Sequence, residues 1–137
     1  MIIGRVAGDV FRAPQKHIAF AVNEEGENFV GFAGQVASMI WPELEETGGN
    51  DLGEVLEYVS GSKTYYALVC HTQELGGWDN TPEIVRECLD NIDIPNNEEI
   101  AVVLMGSGEI GIKEGADVEA ILQGMEQSKK HLVVYTL

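Results

Sequence analysis

Short runs in which nearly every residue is apolar alternate along this chain with stretches in which apolar residues recur three or four positions apart. Ile2 to Val6 and His17 to Val22 belong to the first kind and predict strands. Between Gly31 and Trp41 the apolar positions Phe32, Val36, Met39 and Ile40 trace one helix face, and Pro42 ends it. Glu54 to Val59 and Thr64 to Cys70 flank Ser60-Gly61-Ser62-Lys63, a Gly-bearing join of hairpin length. Thr81-Pro82 supplies an N-cap and a proline at the first helical position. The stripe Ile84, Val85, Cys88, Leu89 and Ile92 follows, until Pro95-Asn96-Asn97 breaks the helix. Ile100 to Met105 is apolar without alternation, as in a strand covered on both faces. A last helix carries Val118, Ile121, Leu122 and Met125 inward, and His131 to Thr136 closes the chain as a central-type strand. The order β-β-α-β-β-α-β-α-β predicts the α/β class, a mixed sheet sandwiched between helices.

Length and charge narrow this picture. The 137 residues suit a single domain spanning 1–137, and 45% hydrophobic residues against 23% charged suit a packed core. The formal net charge of −15 disfavours nucleic acid and anionic membranes as partners, since both recruit Lys and Arg. No apolar h-region opens the chain and no apolar run approaches a membrane span, so the expected setting is intracellular, cytoplasmic or (in a eukaryote) nuclear. Cys70 and Cys88 lie outside any CxxC pattern and read as buried free thiols, with a disulfide between them as the alternative. His17, His71 and His131 have no zinc-like spacing, so neither a metal nor a cofactor is expected. Glu43, Glu45, Glu46, Asp51, Glu54 and Glu57 form an acidic segment that reads as a solvated surface or as a dock for a basic partner. Nothing demands an oligomer, and a monomer is favoured.

In sheets of this class ligands collect beyond the carboxyl ends of strands. Three loops qualify: Val22 to Ala33, Cys70 to Asn80 and Met105 to Gly115. Gly106-Ser107-Gly108-Glu109-Ile110-Gly111 leaves a strand and leads to a helix, which fits either backbone binding of phosphate or a plain tight turn. Gly31 begins a helix, where orphan N–H groups favour an anion. Two such loops on one rim suit a diphosphate, and a chain this acidic has few basic side chains to use instead.

These residues also resemble the macrodomains, most closely the branch of terminal ADP-ribose protein glycohydrolases. Gly8-Asp9-Val10-Phe11 is similar to that branch's Gly-Asp-Leu-Phe turn, and Gly31-Phe32-Ala33 stands where it has Gly-Ile-Ala. Gly53-Glu54-Val55 and Tyr65-Tyr66 resemble its middle hairpin, and Met105-Gly106-Ser107-Gly108 its Ile-Gly-Cys-Gly loop. The ending Val134-Tyr135-Thr136-Leu137 is the same. Each motif is short, and the specificity lies in their sum and order. The resemblance implies a three-layer α/β/α sandwich that binds ADP-ribose. It would place Asp9 on the adenine amino group, the Val10 backbone beside it, and Leu137 at the adenine end. Asn23 would lie near the distal ribose, with Gly31, Phe32 and Ala33 on one side of the diphosphate. Leu104, Met105, Gly106, Ser107, Gly108, Glu109 and Ile110 would close the other side.

The departures bear on activity. That branch uses a nucleophilic Lys at the end of the middle strand and an Asp in the Gly-rich loop; by register these positions are His71 and Ile110. Isoleucine neither gives nor takes a proton, whereas a Lys amine attacks the anomeric carbon. Three functions therefore stay open. The first is a module that captures ADP-ribose, free or attached to protein, without turnover. The second is a hydrolase of ADP-ribosyl-glutamate or -aspartate, or of ADP-ribose phosphate, with His71 and Glu109 as the catalytic candidates. The third is an interaction domain with a vestigial cleft, whose acidic 43–57 segment docks a basic partner.

Overall fold

The computed structural model of the chain describes residues 1–27, 31–46 and 49–136. Six strands form one sheet: β1 (Ile2–Ala7), β2 (His17–Asn23), β3 (Val55–Ser60), β4 (Lys63–His71), β5 (Glu99–Val103) and β6 (His131–Thr136). Their spatial order is β1-β6-β5-β2-β4-β3. The β3–β4 hairpin is antiparallel and every other neighbouring pair is parallel, so the sheet is mixed, as the apolar runs predict. Among the described residues four helices accompany it: α1 (Gly31–Met39), α2 (Thr81–Asp90), α3 (Glu109–Lys113) and α4 (Val118–Glu126).

Alternate residues of the central strands feed two cores. Ala19, Leu68, Cys70, Ile100, Val102, Leu132 and Val134 face α2 and α4, where Val85, Cys88, Leu89, Ile121 and Met125 are buried. On the opposite face Ile18, Phe20, Val22, Ala67 and Val69 pack against α1 and the 3-10 turn at Pro42–Glu46, meeting Val36, Ala37, Trp41 and Leu44. Helices thus cover both sheet faces, giving the three α/β/α layers. Burial on both faces explains why these strands read as continuous apolar runs.

Four sequence expectations shift. The buried stripe of α1 is Ala33, Val36 and Ala37, one helix face, and Met39 lies exposed because at about 100° per residue it points well off that face. The central strand expected to reach Met105 ends at Val103, where the chain swings into the Gly-rich loop. That loop leads first into the short helix α3, which lacks an apolar stripe long enough to show as a period. Two 3-10 turns, Val10–Arg12 and Pro42–Glu46, occupy stretches without helical periodicity. In the acidic segment Glu43, Asp51, Glu54 and Glu57 are exposed, as a solvated surface requires. Cys70 and Cys88 are free and buried in one core. Among the described residues no helix is long and apolar enough to cross a membrane, and no cluster of His, Cys, Asp and Glu is arranged to hold a metal.

Candidate functional site

Since β2, β4 and β5 run parallel, their carboxyl ends share one edge of the sheet. Asn23, His71 and Val103 are the residues at those ends. The loops that follow enclose a pocket of about 520 Å³, within the usual range for a small-molecule site. On its wall stand Asn23, Gly31, Phe32, Ala33, His71 and the whole run Leu104 to Ile110. Both glycine-bearing turns read from the sequence therefore reach the same space.

Gly31 begins α1 with φ +70°, and a Cβ placed there would meet nothing within 4 Å. Gly106 is different. Its φ is +80°, and a Cβ would lie 2.8 Å from Ala116 Cβ, 3.3 Å from Ile121 Cδ1 and 3.4 Å from Trp78 Cζ3. The Gly-rich loop is wedged between α4 and the indole, so only a glycine gives this backbone path. Ser107 Oγ donates to the Leu104 carbonyl at 3.2 Å and ties the loop to itself.

Asn23 works mainly on its own loop. Its Nδ2 donates to the Glu27 carbonyl at 2.7 Å, and the Glu27 N–H donates back to Oδ1 at 2.9 Å. This reciprocal pair shapes the turn after β2, and leaves Asn23 on the pocket wall as a buried residue. Loop 72–80 is fastened alongside, the Gln73 N–H donating to Glu25 Oε1 at 3.0 Å.

His71 sits on that wall only 8% exposed, its ring stacked on Trp78 with centroids 3.8 Å apart and planes 13° off parallel. Trp78 is held in turn, its Nε1 donating to Glu114 Oε1 at 3.1 Å. Nδ1 of His71 is buried without a hydrogen-bond partner, the one such side-chain atom among the described residues. An orphan of this kind costs about 1–3 kcal/mol. Burial lowers the His71 pKa below its ordinary value, opposed in smaller measure by the Glu114 carboxylate, the Thr72 backbone and the Glu25 carboxylate. The imidazole is thus neutral at physiological pH. Burial also pushes the Cys88 thiol up to about 12, and the fully buried Cys70 well above its usual range, so neither supplies a thiolate.

Glu109 borders the pocket, yet its side chain is 86% exposed and its Oε1 lies 3.8 Å from Lys113 Nζ. The carboxylate joined to His71 through Trp78 is Glu114. Ile110 presents an apolar, half-exposed side chain at the rim. Asp9 and Val10 stand off this wall: Asp9 Oδ1 caps the 3-10 turn by accepting from the Phe11 N–H at 3.0 Å, and Val10 is core. What reaches the pocket from that side is aromatic, for Phe11 stacks on Phe32 at 5.0 Å and Phe32 meets Phe20 edge-on at 5.5 Å. Leu137 lies outside the described residues.

Sequence reasoning missed Phe20, Glu27, Gln73, Trp78 and Glu114 as wall residues. Trp78 carried a signal, an aromatic after Gly76-Gly77 in a strand-end loop, whereas Glu114 is one acid among 23 Asp and Glu.

In a mixed α/β/α sandwich the edge beyond the carboxyl ends of the strands is where ligands collect, and this pocket lies there. Comparison with solved structures narrows the class. The macrodomain of Mycobacterium tuberculosis DarG superposes with a TM-score of 0.70 at 20% identity, covering 100% of this chain and 98% of that one. The macrodomain of Thermus aquaticus DarG gives 0.62 at 17%, with 100% and 98% covered. A macrodomain protein from Streptomyces coelicolor gives 0.62 at 16%, with 100% and 99% covered. No protein-family profile and no curated protein sequence matches the chain. This chain has the macrodomain fold.

Proposed function

We propose that the chain binds ADP-ribose, or a related nucleotide derivative, in the carboxyl-edge pocket and does not hydrolyse it. The observation that carries this reading is the convergence of the Gly31 and Gly106 turns on one pocket of about 520 Å³. Main-chain N–H groups in such turns suit a diphosphate. Phe20 and Phe32, the latter backed by Phe11, offer an apolar wall for a base or sugar. Absence of turnover is argued from Ile110 and His71 at the positions where the glycohydrolase branch carries its carboxylate and its amine. Calorimetric titration of the full chain with ADP-ribose tests binding. A titration showing no heat at about 1 mM ligand refutes it, since that bounds the affinity at roughly −4 kcal/mol or weaker.

The hydrolase reading survives on one observation, the placement of His71 and Glu109 on the same wall. It needs a proton shuttled between a buried neutral imidazole and a carboxylate already facing Lys113. Incubation with protein carrying ADP-ribosyl-glutamate or -aspartate decides the matter. Released ADP-ribose that vanishes in both His71→Ala and Glu109→Ala establishes the hydrolase and overturns the capture module.

A further inference from the structure

The pocket lies over a split in the sheet. Strand β2 stands between β5 and β4. Its ladder with β5 runs from His17–Ile100 to Ala19–Val102, whereas its ladder with β4 continues to Asn23–His71. Beyond Ala19 the strands β2 and β5 therefore part, and Phe20 and Ala21 on one side face Val103 and Leu104 on the other across the pocket floor. The Gly31 turn stands above the β2 lip of this crevice and the Gly106 turn above the β5 lip. A ligand bonded to both turns depends on a separation that strand pairing no longer holds at that level, and hydrogen bonds weaken steeply as geometry drifts.

Loop 72–80 spans the gap. It leaves β4 and passes over the end of β2 to reach the loop after β5. At the near lip the Gln73 N–H donates to Glu25 Oε1 at 3.0 Å, in the turn after β2. At the far lip Trp78 Nε1 donates to Glu114 Oε1 at 3.1 Å, and the indole edge lies against Gly106. Between these anchors the loop is stiff. The Thr72 N–H donates to the Gly77 carbonyl at 3.1 Å, the Gly77 N–H to the Glu74 carbonyl at 2.9 Å, and the Asp79 N–H to the Gly76 carbonyl at 3.1 Å. A Cβ at Gly77 would overlap the Thr72 carbonyl oxygen and stand 2.8 Å from that of Glu74, so the coil closes this tightly only around a glycine. The run Gly76-Gly77-Trp78 is thus a tight turn that delivers an indole to the opposite lip.

We infer that loop 72–80 is a strap that sets the width of the crevice, with Trp78 and Glu114 as positioning residues that favour a ligand whose phosphates reach both glycine turns. The inference rests on the nucleotide reading above and names the selectivity of that site: a diphosphate ester over a monophosphate. A lip held in place before the ligand arrives needs no ordering on binding, and that cost reappears when the strap is cut. A ligand held by one lip does not feel the cut.

The test titrates the full chain calorimetrically with two probes, ADP-ribose and AMP, at about pH 8 and fixed ionic strength. Both carry about two negative charges there, so repulsion from a chain of net charge −15 cancels in the ratio of their affinities. Glu114→Leu removes the acceptor of the indole N–H. It should weaken ADP-ribose at least about fivefold, the worth of one hydrogen bond, and AMP by less than about twofold. Trp78→Phe, which keeps a ring against His71 but has no N–H, should repeat this split and takes the place of Glu114→Leu should that variant not fold. Glu114→Gln keeps the acceptor and should retain the wild-type ratio. Leu75→Ser, at the fully exposed tip of the strap, should alter neither affinity by more than about 1.5-fold. A merely structural role would weaken both probes alike, and that outcome overturns the inference. So does a ratio unchanged in Glu114→Leu and Trp78→Phe, or one lost equally in Glu114→Gln. Where AMP binds too weakly to register, amide exchange in the free protein decides: residues 104–111 should exchange faster in Glu114→Leu and at the wild-type rate in Glu114→Gln, and equal rates in all three refute the strap. A wild type that binds ADP-ribose while the variants miss this pattern removes the inference and spares the nucleotide reading, whereas a wild type that binds no ADP-ribose removes both.

Discussion

Replacing Gly106 by alanine adds one methyl group at the point where the Gly-rich loop, α4 and Trp78 meet. Two penalties combine. An L-residue at φ +80° pays roughly 1–2 kcal/mol for the left-handed backbone. The new Cβ would stand 2.8 Å from Ala116 Cβ, with Ile121 and Trp78 just behind, and overpacking of this sort costs about 1–3 kcal/mol. Ala116 follows Gly115 and is anchored by its N–H to the Gly111 carbonyl at 2.9 Å, so it yields little. Gly106→Ala should therefore lose about 2–5 kcal/mol, which lowers a urea midpoint by about 1–2 M at an ordinary slope for this chain length. Gly108→Ala is the matched control. Its φ of −75° suits any residue and its Cβ would meet nothing within 4 Å, so its midpoint should move by less than about 0.3 M. Equal shifts in the two variants, or none in either, would show that the loop is not wedged as described. ADP-ribose titrations on the same two proteins extend the comparison. Moving the loop or the indole should weaken binding by Gly106→Ala at temperatures where it remains folded.

The neutral His71 makes stability depend on pH in one direction. A depressed folded-state pKa means the unfolded chain binds the proton more readily, so stability present above about pH 6.5 declines as pH falls towards and through the folded value. In His71→Phe, which keeps a ring against Trp78, the drop between neutral and mildly acidic pH should be smaller; an identical pH profile would contradict the assignment. Both thiols should resist a disulfide reagent at about pH 8 in the native protein and react at once in denaturant, since burial raises both pKa values. Rapid labelling of the folded chain would refute this. Free ADP-ribose should bind more tightly as ionic strength rises from about 0.01 M to about 0.15 M, because screening shortens from about 30 Å to about 8 Å around a chain of net charge −15. An affinity that falls steeply with salt would instead require cationic contacts absent from the described pocket wall.

How much of this was legible beforehand follows from the range of each signal. The strands β2, β4, β5 and β6 lie in the sheet interior, and their burial writes itself into unbroken apolar runs at 18–22, 65–70, 100–103 and 132–135. The faces of α2 and α4 were visible for the same reason, because Val85, Cys88, Leu89, Ile121 and Met125 must all point at one sheet. Short elements leave no such record. The helix α3 has five residues, less than two turns, and its position is set by the wedged Gly106 and by Trp78 holding Glu114. The glycine turns were found because a backbone need selects glycine and nothing else, whether or not a ligand is present.

The harder part of the site was the set of side chains whose purpose comes from a distant partner. In sequence Asp9 looked like a recognition group, and in the fold its carboxylate caps the turn that carries Phe11 towards Phe32. Asn23 looked like a sugar contact, and it spends both ends of its amide on Glu27. His71, by contrast, looked interchangeable with any strand-end histidine until Trp78 and Glu114 arrived from loops lying 7 and 43 residues further along. The asymmetry has a physical basis. A polar side chain near a turn has local backbone groups within reach and bonds to them, so residue type near a motif does not by itself separate a turn-former from a ligand contact. A ring buried at a strand end takes its surroundings from the loops that pack over it, here Trp78 and, through it, Glu114, and those partners leave no trace in the residues next to it in sequence.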